Sequence, residues 1–78
     1  MIIMNLEKFI QLFAEQFDDT SADVFTATTV YKELEEWGSL VALSIISMVD
    51  DEFDVRVTGT DIRNCNTIEE LYQLVISR

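Results

Sequence analysis

Trp37-Gly38-Ser39-Leu40, followed by Val41-Ala42-Leu43-Ser44-Ile45-Ile46-Ser47-Met48-Val49-Asp50-Asp51-Glu52-Phe53, is the stretch on which the reading of this chain turns. An irregular connection rich in Asp, Glu and Thr runs up to it, and a long apolar segment runs away from it. Ser39 therefore stands where a loop should become a helix. A serine at such a junction has an ordinary task, because its hydroxyl can accept from the free backbone N–H groups of the first turn. The same place suits a phosphate, since those N–H groups and the positive end of the helix dipole both favour an anion. On a 3.6-residue wheel, Ala42, Ile45, Ile46, Val49 and Phe53 gather on one side and are expected to face a core. Ser44, Ser47, Asp50 and Asp51 lie opposite, with Leu40 and Leu43 among them. Single exposed leucines are unremarkable. Two of them flanking Ser39 favour a contact site for a partner.

Upstream, Leu6, Phe9, Ile10, Phe13, Ala14 and Phe17 recur at helical spacing, and Asn5 is a suitable N-cap. The spacing predicts a first helix from about Ile3 to Phe17. From Asp18 to Gly38 no period is sustained, and Thr20, Thr26, Thr28 and Thr29 disfavour a helix. A loop of roughly 20 residues is unusual in a compact domain and tends to be functional. Val24, Phe25, Val30, Tyr31, Leu34 and Trp37 are expected to pin it to the core, with one short turn around Ala22 to Phe25.

Downstream, the acids that close the second helix oppose its dipole, so that end is expected to fray. Asp54 to Thr58 alternates and reads as extended, with Val55 and Val57 inward. Gly59 is expected to take a positive φ and re-aim the chain. Thr60 to Asn64 forms one short turn with Ile62 buried. Thr67-Ile68-Glu69-Glu70 matches a capping box and opens a last helix, to about Ser77, with Ile68, Leu71, Tyr72 and Val75 as its apolar stripe. The fold class is all-α: a small four-helix bundle with a long loop between helices I and II and a short helix III. At 78 residues it is a single domain spanning 1–78.

Composition narrows the function. The net charge is −10, from 15 acidic and 5 basic residues. Nucleic acid and anionic membrane surfaces repel such a chain, whereas basic protein surfaces complement it. With no histidine, general base catalysis near neutral pH lacks its usual agent. One cysteine without histidine gives no ordinary structural zinc site, and neither glycine belongs to a phosphate-binding loop. Asp50, Asp51, Glu52 and Asp54 resemble a calcium loop only superficially, since Val55 stands where its glycine is required. No metal is expected, and no enzyme activity. Cys65 reads as a small, partly buried residue, and its solitude suits a reducing cytoplasm. The run Met1 to Asn5 lacks the basic region and cleavage site of a signal peptide. No apolar stretch is long enough to span a bilayer.

Leu34-Glu35-Glu36-Trp37-Gly38-Ser39-Leu40, helix II, Asp51-Glu52-Phe53, Val57 to Ile62 and the ending Thr67-Ile68-Glu69-Glu70-Leu71 together resemble the acyl carrier proteins, in particular the branch whose motif reads Trp-Asp-Ser-Leu. The resemblance implies that Ser39 receives 4′-phosphopantetheine from coenzyme A, through a phosphopantetheinyl transferase. The arm's thiol would then hold acyl or related groups as thioesters, as in fatty acid or polyketide biosynthesis, or in carriers of amino acids or D-alanine. It further implies a cytoplasmic monomer that docks enzymes bearing basic patches. Leu40 and Leu43 match apolar contact positions of helix II, with acid supplied by Glu35 and Glu36 before the motif and by Asp50 and Asp51 beyond it. Two departures stand out. Gly38 replaces the usual Asp, and Val41 and Ser44 occupy positions that are often acidic. Gly38 keeps a rival reading open, an acidic interaction module without a prosthetic group, in which Ser39 is only a helix cap.

Overall fold

The computed structural model describes residues 5–78, so the predicted start of the first helix near Ile3 lies outside the described residues. Four α-helices follow one another: α1 Leu6–Ala14, α2 Ser39–Phe53, α3 Gly59–Asn64 and α4 Ile68–Ile76. The connection between α1 and α2 carries two 3₁₀ turns, Ala22–Val24 and Tyr31–Glu33. The first lies where a short turn was expected; the second has no periodic signal in the sequence. Helix α1 packs against α2 and α4, and α2 packs against α3. This is the predicted all-α bundle, with its long loop and short third helix.

Apolar periodicity builds the core. Phe9, Leu12 and Phe13 of α1 are buried against Ile45, Met48, Val49 and Phe53 of α2 and against Ile68, Leu71, Tyr72 and Val75 of α4. Phe13 is an aromatic hub, with ring centroids 5.4–6.3 Å from those of Phe9, Phe17, Phe25 and Tyr31. Offset and tilted ring pairs of this kind add to area burial. The loop thus contributes Phe25 and Tyr31 to the core and packs Leu34 and Trp37 against it, as expected, whereas Val24, also expected to pin it, is exposed. Cys65 is partly buried, also as expected.

Several boundaries differ from expectation for identifiable reasons. Helix α1 ends at Ala14 rather than Phe17, because Gln16 and Phe17 donate to carbonyls three residues back, those of Phe13 and Ala14. That tighter turn swings Phe17 onto Phe25 and Trp37. The acidic end of α2 does not fray. Asp54 closes it in the left-handed region (φ 55°), its N–H donating to the Asp50 carbonyl at 3.1 Å. Asp54 therefore re-aims the chain, and Gly59 does not: no glycine has a positive φ, and Gly59 is simply the first residue of α3. A full capping box forms there, between Thr58 and Asp61. The box expected at Thr67 and Glu70 is half formed. Thr67 accepts from the Glu70 N–H, but the Glu70 carboxylate accepts from the Asn66 N–H instead.

Candidate functional site

Ser39 is held in place by the residue two before it. Trp37 packs on Tyr31 and Phe17, with ring centroids 5.0 and 6.4 Å away, and its N–H closes a turn onto the Leu34 carbonyl at 3.0 Å. The chain leaves this anchor through Gly38, which is fully extended (φ −175°, ψ −176°) and is the N-cap of α2. Ser39 is thus the first helical residue and not the cap. Among the described residues its hydroxyl takes part in no hydrogen bond, and no side chain caps α2. The other helices are capped by Asn5, Thr58 and Thr67. The rival reading of Ser39 as a helix cap therefore loses its structural basis.

Gly38, Ser39 and Leu40 are all exposed, and a Cβ at Gly38 would meet nothing within 4 Å. No acidic residue lies in the first turn of α2. Its first N–H groups are free to favour an anion. A phosphodiester-linked arm needs an exposed, uncommitted hydroxyl with open space around it, and these residues fit that requirement.

Two grooves run along α2 from this point. One, of about 450 Å³, lies between α1 and α2, with Leu12, Glu15, Leu40, Leu43, Asp51 and Glu52 in its lining. The other, of about 540 Å³, lies between α2 and α3 and starts at Gly38 and Ser39. Its walls are largely apolar, with Trp37, Ala42, Ile46 and Ile62, and its cations are Lys32 and Arg63. Ala42 and Ile46, read as core, are only partly buried because they form this wall. Met48 takes the inward place instead. Leu43 lines both grooves.

The acids read as docking residues separate. Asp51 joins Leu40 and Leu43 in the α1–α2 groove, with Glu15 and Glu52. Asp50 and Glu35 are exposed but line neither groove. Glu36 is committed to the loop. Its carboxylate accepts from the N–H of Asp18 at 2.7 Å and of Asp19 at 3.0 Å, and from the Thr20 hydroxyl at 2.7 Å. The Thr20 hydroxyl first, and then the two amides, hold Glu36 below the usual carboxylate range.

Lys32 and Arg63 carry no signal in the sequence that places them in one groove with Ser39, and Glu15 none that places it in one groove with Leu40 and Leu43; loop packing brings Lys32 there and helix packing brings the other two. Among the described residues no group of three or more potential ligands could hold a metal ion, and no helix is long and apolar enough to cross a membrane.

A sequence-family model described as "Phosphopantetheine attachment site" matches residues 7–75. Comparisons with curated proteins and with solved structures gave no match. The family match reaches into all four helices and covers the residues that line both grooves along α2, and the chain therefore belongs to the phosphopantetheine-binding carrier family, whose members carry 4′-phosphopantetheine as a covalent cofactor.

Proposed function

We propose that Ser39 is the attachment residue and that the protein holds acyl or related groups as thioesters on the attached arm, presenting them to partner enzymes while catalysing nothing itself. One observation carries the choice of serine: Ser39 offers a free, exposed hydroxyl at the start of a helix. Ser21 accepts from the Asp23 N–H, Ser44 donates to the Leu40 carbonyl and Ser77 to the Leu74 carbonyl, whereas Ser47 lies in the middle of α2. In the modification the Ser39 Oγ–P bond forms as the phosphoanhydride of coenzyme A breaks. Adenosine 3′,5′-bisphosphate leaves, and the serine proton passes to a base of the transferase. The chain's own part is to expose the hydroxyl, free of hydrogen bonds and in open space, at the start of α2. Tethering then makes each later encounter effectively intramolecular.

Leu40 and Leu43, which are 81% and 59% exposed, serve as apolar docking contacts for enzymes with basic patches. Asp51, together with Glu15 and Glu52, provides the adjoining charge, and Asp50 and Glu35 add to the long-range field. Glu36, with both oxygens engaged, is left out of this face. Intact-mass measurement after incubation with coenzyme A and a broad-specificity transferase tests the reading. A gain of one phosphopantetheine that is absent in Ser39→Ala is expected; an adduct that persists in Ser39→Ala would overturn it.

A further inference from the structure

Two cations in the α2–α3 groove have no carboxylate partner. In a chain with 15 acidic and 5 basic residues, a cation would be expected to find an acid. Among the described residues Arg78 does so with Asp61, but neither Lys32 nor Arg63 forms an ion pair. Lys32 Nζ donates to the Arg63 backbone carbonyl at 2.6 Å and to Asn66 Oδ1 at 3.3 Å. Arg63 donates only one guanidinium bond, to the Thr60 hydroxyl at 3.3 Å. An ammonium has three donors and a guanidinium five, so both keep donors in reserve. The first contact ties Lys32 to the end of α3, and both residues line the groove that starts at Gly38 and Ser39.

We infer that Lys32 and Arg63 form an anion clamp for the phosphodiester that joins Ser39 to its arm, laying the first part of the arm along the α2–α3 groove. The inference rests on Ser39 being the modified residue. A phosphodiester carries one negative charge on two non-bridging oxygens. The Arg63 fork matches such a pair of oxygens, and Lys32 adds a compact charge beside it. Past the phosphate the arm begins with a dimethyl-substituted carbon chain, suited to the apolar wall of Trp37, Ala42, Ile46 and Ile62. Gly38 belongs to the same device. An Asp there, as in the motif this chain resembles, would set a carboxylate beside the phosphodiester and compete for both cations. Glycine leaves them to the phosphate.

The test uses protein converted by a broad-specificity transferase with coenzyme A and verified by intact mass. The ³¹P NMR signal of the phosphodiester is compared in the wild type, Arg63→Gln, Lys32→Gln/Arg63→Gln, Gly38→Asp and, as a control for charge alone, Lys8→Gln. The wild-type signal should be displaced and broadened relative to the double variant, and added NaCl should collapse the difference. Gly38→Asp should move toward the double variant, and Lys8→Gln should match the wild type. The rise in Tm on modification should also shrink in Arg63→Gln, which keeps the Lys32 contact to the main chain. Equal chemical shifts and linewidths in mass-verified wild type and double variant would overturn the clamp and leave the Ser39 reading intact. A failure to gain mass would overturn both.

Discussion

At Gly38 a side chain would have work to do and would meet no obstacle. The backbone is extended, which any residue tolerates, and the space around a Cβ is open. Gly38→Asp should cap α2. Asp exceeds Gly as a cap by only a few tenths of a kcal/mol, about 0.3. Negative charge at an exposed helix N-terminus adds ~0.3–1 kcal/mol. Unfolding of the unmodified variant should therefore shift to modestly higher denaturant. A transferase with a basic docking site should also modify Ser39 faster, with a gain that fades at high salt. Stopped-time mass measurements and urea titrations check the two halves. Greater stability without faster modification would separate the cap from the encounter.

The loop before α2 is fastened to the core, chiefly through Tyr31. This fully buried phenol donates to the Ile62 carbonyl and lies 3.0 Å from the Cys65 carbonyl. Burial, and then the neighbouring Cys65 and Glu70, push its ionisation above the ordinary tyrosine range. Tyr31→Phe keeps the ring in the aromatic cluster but strips the donor from the carbonyls at the end of α3. An unsatisfied buried group costs about 1–3 kcal/mol, so a loss of stability of that size, read from a lower urea midpoint at unchanged m-value, is expected; an unchanged midpoint would mean that water replaces the hydroxyl. Here too lies the boundary of what the sequence makes legible. The apolar stripes of α1 and α4 and the start of α2 follow from periodicity and capping chemistry, because those forces act between near neighbours. The helix start at Ser39 and the exposed position of Leu43 were legible for the same reason. The fastening by Tyr31, the engagement of Glu36 with the start of the loop and the placing of Lys32 beside α3 join residues 16–34 positions apart. No local pattern encodes such pairs. The inward turn of Met48 was missed because α2 is apolar on two flanks, one for the core and one for the α2–α3 groove.

At the scale of the whole molecule, the excess of negative charge sets a dependence on acidity with two opposing limbs. The net charge of −10 at pH 7 disappears near the isoelectric point of 4.1, and relief of self-repulsion on the way down favours the folded state. Asp61 works in the other direction. The Arg78 guanidinium, followed by the Thr58 N–H, holds its carboxyl down to about 2. A group depressed in the folded state stabilises it fully above the ordinary carboxylate value of about 3.9, and that contribution disappears as pH falls from there toward the folded value. Glu36 acts with the same sign. Tm should therefore rise as pH falls from about 7 to about 5 and drop steeply below about 4. Added salt should raise Tm most at the neutral end, where repulsion is greatest. Melts across this range at two ionic strengths check the shape; a flat response between neutral and mildly acidic pH would mean that the acids are already compensated.

The loop also completes α4. The N–H of Ile68 donates to the Thr29 carbonyl at 3.2 Å and that of Glu69 to the Ala27 carbonyl at 3.0 Å, beside an isolated bridge between Val30 and Thr67. Thr67 accepts from the next amide, that of Glu70. The first-turn amides of the last helix are thus satisfied by residues some forty positions earlier in the chain as well as by the local cap. In hydrogen exchange, the Ile68 and Glu69 amides then behave as a gauge of the loop. Their protection lasts only while residues 27–30 stay docked, and the Glu70 amide, tied to Thr67, supplies an internal standard for opening of the helix itself.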